Sequence, residues 1–320
     1  MQERRSDYDV TNSVKTTDPS MVAAEIRQLY RDLYRKADFS TIDRAFRDFA
    51  QLYRGQRPDY VGCDTSYHDM QHVLDVTLAM ARLLAGYQRV GNEPLGERMF
   101  QLGVILALYH DCGYIRMRGD SRHRNGAECT LTHVARSARY LRAYLPQIGM
   151  ADLAPVAARV VHFTGYEVPI EKIRLPAPVF RVIGNMLGTA DILGQMADRC
   201  YLEKCHDRLF PEFVLGGIAQ RKDKDGRVEV VFASATDLIS KTPTFYEHAA
   251  KRLDAALDGV YRYAEPHFGG TNYYVRAIEN NIGYARKISA DGDLSRLRRT
   301  PPEPLTVDQP RPEPQDVTGR

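Results

Sequence analysis

Residues 66–76, "SYHDMQHVLDV", decide how this chain is read, because they set His68 and His72 four positions apart where an apolar helical period begins. Residues four apart on a helix share a face, so both imidazoles can look into one cavity. Asp75, three beyond His72, can reach His72 too, and an aspartate that holds the remote nitrogen of a ligating histidine is a common support. Further along, residues 107–114, "ALYHDCGY", join a third histidine, His110, directly to Asp111.

Outward from these stretches the dominant period is helical. Val73, Val76, Leu78, Met80, Leu83 and Leu84 form a helical stripe, and residues 93–111 are apolar on most sides, as a central buried helix requires. The same period returns in residues 125–145, 152–163, 178–205 and 272–288, which predicts an all-α body over residues 21–290. The exception is "QRKDKDGRVEVVFAS", residues 220–234, where Asp225-Gly226 leads into alternating valines and suggests a short β-hairpin or exposed insertion. Residues 1–20 are polar and aperiodic and are expected to be disordered, with Ser20 capping the first helix. Six of the 17 prolines fall between Pro301 and Pro314 among charged residues, so 291–320 reads as a disordered proline-rich tail.

The pair His110-Asp111 closes an apolar helix, and burying a carboxylate without a partner is costly. A divalent cation is one such partner, and imidazole with carboxylate suits Mn, Fe, Zn or similar ions better than calcium. Asp191, in "GNMLGTADILGQMADR" (184–199), is the next polar residue on an apolar helix. Gln195 and Asp198 share its face; Asp191 lies deeper in the apolar stretch and is the favoured ligand, with Gln195 as a supporting residue. His123 and His162 adjoin helices and are candidates for a second metal position. His133 and His206 read as ordinary hydrogen-bonded histidines, and for His68 a capping or packing role stays open.

Composition narrows the function classes. A net charge of +3, with 44 basic residues interspersed among 41 acidic ones, does not point to nucleic acid or a membrane surface. The longest apolar run, "LGVILALY", is well below the roughly 20 residues of a membrane span. The charged N-terminus lacks an apolar targeting region, so a cytoplasmic protein is expected, with its five cysteines reduced in the core.

A histidine, then an adjacent His-Asp, then a lone Asp, each on a helix, resembles the HD superfamily of metal-dependent phosphohydrolases, over roughly residues 60–205. "YHDMQHVLDV" is similar to the Y-H-N-x-x-H-A-x-D-V signature of class I cyclic nucleotide phosphodiesterase catalytic domains, and "QMADRCYLEK" resembles the helix after their metal aspartate. The resemblance implies an HD-type helical bundle in which His68 is the general acid, His72, His110 and Asp191 are metal ligands, and Asp111 is a catalytic ligand that bridges two ions. Asp69 stands where that signature has Asn, and the H-x-G continuation after His-Asp is missing. "SRHRNGAE" followed by "VVHFTGY" looks more like general bacterial HD phosphohydrolases, which implies His123 and His162 at a second ion.

The expected activity is therefore phosphoester hydrolysis of a small molecule or (cyclic) nucleotide by water activated at one or two divalent ions (Mn, Mg, Zn, Fe or Ni), with Arg122 and its neighbours Arg116, Arg118 and Arg124 near the phosphate oxygens. Two other classes stay open: a di-iron HD-domain oxygenase, and a non-catalytic, metal-stabilised module that binds a partner through the tail.

Overall fold

The structure, a computed structural model, describes residues 4–90, 93–222 and 226–307. It is mostly helical, as the periodicity predicts. In chain order the helices are α1 (Pro19–Leu33), α2 (Ser40–Tyr53), α3 (Met70–Val90), α4 (Glu97–Tyr109), α5 (His133–Tyr144), α6 (Ala154–Val160), α7 (Pro178–Met196), α8 (Tyr201–Lys204), α9 (Phe210–Leu215), α10 (Ala235–Lys251), α11 (Ala264–Phe268) and α12 (Tyr273–Asp291). No helix among the described residues is long and apolar enough to cross a membrane.

The body is arranged around α3, which packs against α1, α4, α7 and α11. Its residues from Val76 to Gly86 are buried on every side, so the stripe seen in the sequence is part of a fully enclosed helix. Asp69 caps it, accepting the His72 N–H at 3.0 Å. Gly86 lets the helix approach its neighbour, because a Cβ there would lie 1.7 Å from the Tyr263 carbonyl oxygen.

The expected hairpin is present as β1 (Gln220–Lys222) paired antiparallel with β2 (Val228–Val230). Val228 and Val230 are half exposed, so it adds little to the core. Gly226 has the positive φ of a turn residue, while Asp225 lies outside the described residues. All five cysteines are free and buried.

Both termini depart from expectation. Residues 4–18 were expected to be disordered, yet Asp9 is buried and accepts Arg82 Nη2 at 2.7 Å, and Arg4 Nη1 donates to the Ala197 carbonyl at 2.7 Å. A buried guanidinium in the middle of α3 needs a carboxylate, and this segment supplies it; polarity alone suggested otherwise. The cap of α1 is Asp18, whose carboxylate accepts the Ser20 N–H at 2.8 Å, and not Ser20 itself.

The described part of the tail is likewise docked. Arg208 donates to the Pro302 carbonyl, the Leu305 N–H to Asp69 at 3.1 Å, and the Val307 N–H to the Cys63 carbonyl at 2.7 Å. These are main-chain contacts, available to a proline-rich segment without any apolar periodicity. Residues 308–320 lie outside the described residues.

Two stability measurements follow from these ties. Asp9→Ala leaves Arg82 buried without its carboxylate and should cost about 3–5 kcal/mol in denaturant unfolding. Deleting residues 301–320 should lower the melting temperature by several degrees, and an unchanged transition would show that the strap contributes nothing.

Candidate metal centre

Three elements converge on one buried point. The first turn of α3 delivers His72, the end of α4 delivers His110 and Asp111, and α7 delivers Asp191. His72 Nε2 lies 3.3 Å from Asp111 Oδ2 and 3.6 Å from Asp191 Oδ1. His110 Nε2 lies 3.2 Å and 3.6 Å from the same two oxygens. The ligand atoms of His72, His110 and Asp111 are close enough together to hold one metal ion, and all three residues are buried.

The hydrogen bonds fix the chemistry further. His110 Nδ1 donates to the Ala107 carbonyl at 2.7 Å, so in the neutral ring Nε2 carries the lone pair. That Nε2 is buried with no hydrogen-bond partner, and it faces two carboxylates. Lone pair against anion is unfavourable unless a cation intervenes, so the donor set fits a divalent ion of mixed N/O preference.

Without a metal, protons fill that demand. Burial disfavours a charged His72, but hydrogen bonds to Asp111 and Asp191 override it and raise its pKa to about 9. His110 is raised well above its ordinary value: burial opposes the charge, and Asp111 outweighs it. Burial works against an ionised Asp111 as well, yet His110 holds it well below the usual carboxylate range; Asp191 is lowered by His110 and His72 in the same way.

Beside this cluster stands a second arrangement. His68 Nδ1 lies 2.6 Å from Glu212 Oε2, and Glu212 Oε1 accepts the Tyr67 N–H at 2.5 Å. Tyr114 is stacked between two imidazoles, with centroids 4.4 Å from His68 and 4.4 Å from His133. Glu212, buried on α9, carries no sequence signal that links it to His68 across 144 positions.

His133, read in the sequence as an ordinary hydrogen-bonded histidine, is hydrogen-bonded and partly buried, and it also borders the centre. Its Nε2 is 3.6 Å from Asp111 Oδ1, and its Nδ1 donates to the Thr130 carbonyl at 2.6 Å. Burial lowers its pKa against the pull of Asp111, which keeps the ring neutral with a lone pair facing the carboxylate. Gly113 makes the approach possible, since a Cβ there would lie 1.9 Å from the His133 carbonyl oxygen.

Other expected site residues take different partners. His123 Nδ1 pairs with Asp120 at 2.9 Å, and His162 Nδ1 with Glu167 at 2.7 Å. Asp75 makes no hydrogen bond to His72 among the described residues; it borders the same small cavity as His72, beside Asp198 and Lys204, where burial and then Asp198 raise it to about 7. Gln195 borders a cavity of about 10 Å³ together with Tyr67 and His72. Arg116 is paired with Asp64 at 2.8 Å, and Arg122 borders a separate groove.

No protein-family model, curated protein or solved structure matches the chain.

A ligating imidazole must be neutral, so metal loading at pH 7 should release protons from His72 and His110 and weaken as the pH falls. Calorimetry in two buffers of different ionisation enthalpy measures that release. In the metal-free protein the contribution of His72 to stability is complete below its unfolded value of 6.5 and is lost as the pH rises through about 9. A melting temperature with no such decline, and no proton release on metal addition, would contradict the assignment.

Proposed function

We propose that the chain is a metal-dependent phosphohydrolase of the HD type, acting on a small-molecule phosphoester or nucleotide. The observation that carries this reading is the unpartnered, buried Nε2 of His110 facing Asp111 and Asp191, with the His68–Glu212 pair alongside. The sequence resemblance to HD phosphohydrolases supports the same reading.

His72, His110, Asp111 and Asp191 would hold a divalent ion. Asp111 turns Oδ2 toward His72 and His110 and Oδ1 toward His133, so its carboxylate can serve a second position on the His133 side. A bound divalent ion acidifies water to give a nucleophile at neutral pH and offsets charge on the phosphoryl oxygens.

The chain's own residues do the rest. Glu212 accepts from Nδ1 of His68, which fixes the ring and leaves Nε2 to carry the transferable proton. As general acid, His68 would give its Nε2 proton to the departing oxygen as the P–O bond breaks, with Glu212 still hydrogen-bonded to Nδ1. Stacking on Tyr114 holds the plane of the ring.

The test is a screen of the protein loaded with Mn, Mg, Ni or Fe against cyclic nucleotides, nucleotides and simple phosphoesters. Oxygen consumption by an iron-loaded protein without phosphoester cleavage would favour an oxygenase instead. Within the hydrolase reading, His68→Ala should keep its metal and lose roughly 10²–10⁴-fold in turnover on an alkyl or ribose ester. A p-nitrophenyl ester needs little protonation on departure and should lose much less. Equal losses on both esters, or loss of metal, would remove His68 from the role of acid.

A further inference from the structure

We propose that the face of α5 turned toward the loop of residues 117–123 binds a small molecule bearing two or more phosphates, at a site distinct from the metal centre. A groove of about 660 Å³ lies there, within the range of small-ligand sites. Four guanidinium groups border it, Arg118 and Arg122 from the loop and Arg136 and Arg139 from α5. Arg136 and Arg139 are three residues apart, so α5 presents them on one face.

The charge there is not compensated. Asp120 is the single carboxylate on the groove, and its oxygens already accept the Arg122 N–H at 2.9 Å and pair with His123 Nδ1 at 2.9 Å. Arg136 donates to the carbonyls of Gly113 and Ile115, and Arg118 to that of Gly55, bonds that fix these side chains without neutralising them. The side chains of Arg122 and Arg139 make no hydrogen bond or ion pair among the described residues. Like charges crowded into one groove repel, and a polyanion converts that repulsion into attraction. The planar fork of each guanidinium matches a phosphate edge.

The lining also selects the ligand class. Its one aromatic ring is His123, paired with Asp120, so it lacks the succession of stacking rings on which single-stranded nucleic acid is held. Half-exposed Met117 and Ala135 add an apolar patch that a base or sugar can cover. A nucleoside diphosphate satisfies both parts. None of the metal-cluster residues borders the groove, and the inference does not depend on the hydrolase reading.

The test is calorimetric titration of the metal-free protein, held in EDTA, with ADP, inorganic pyrophosphate and adenosine. ADP and pyrophosphate should each bind once per chain and weaken as salt is raised, while adenosine should not bind. The double variant Arg122→Ser/Arg139→Ser should bind both anions at least tenfold more weakly, with an unchanged circular dichroism spectrum. Arg139→Gln alone gives a second readout, expected to weaken pyrophosphate several-fold. Absence of anion binding to the wild-type protein, binding that the variants retain in full, or adenosine binding as tightly as ADP would overturn the proposal.

Discussion

Two carboxylates, Asp111 and Asp191, meet inside a helical body, each within 3.6 Å of both His72 Nε2 and His110 Nε2. Separated from water, an anion of this kind must find a cation, and the rest of the site is arranged around that demand. The imidazoles answer it with protons, at the cost of charging two buried rings. A divalent ion answers it better, because neutral imidazoles then turn their lone pairs toward a positive centre. The same constraint explains why these residues sit at helix ends and on a fully packed central helix: the scaffold must hold them in place against mutual repulsion.

The capping of α3 ties that centre to distant parts of the chain. Asp69 accepts the His72 N–H with one oxygen and the Leu305 N–H with the other, so the tail is fastened next to the general-acid candidate His68. One carboxylate thus serves two main-chain donors. Further along the same helix, Asp9 accepts from Arg82 and so binds an N-terminal segment to the middle of α3.

The helices and the core of the centre were legible because they repeat. His72 falls four residues after His68 on a helical stripe, His110-Asp111 closes an apolar run, and the depth of Asp191 in its stretch separates it from Asp198. His133 and Glu212 were not legible, since each is a lone polar residue whose meaning arises when a different segment folds against it. Asp75 shows the converse, a spacing that permits contact with His72 in a residue that borders the same cavity without a hydrogen bond to it among the described residues. The docking of residues 4–18 and 301–307 was missed for a related reason: single ion pairs and main-chain hydrogen bonds hold them, and neither leaves a periodic trace.

Whether the carboxylate pair and its imidazoles hold a metal is tested most directly by anomalous diffraction from crystals soaked in Mn²⁺. An anomalous peak is expected between His72, His110, Asp111 and Asp191, within coordination distance of each ligand atom. No peak there, with Asp111 hydrogen-bonded directly to protonated His72 and His110 in the soaked crystal, would contradict that expectation.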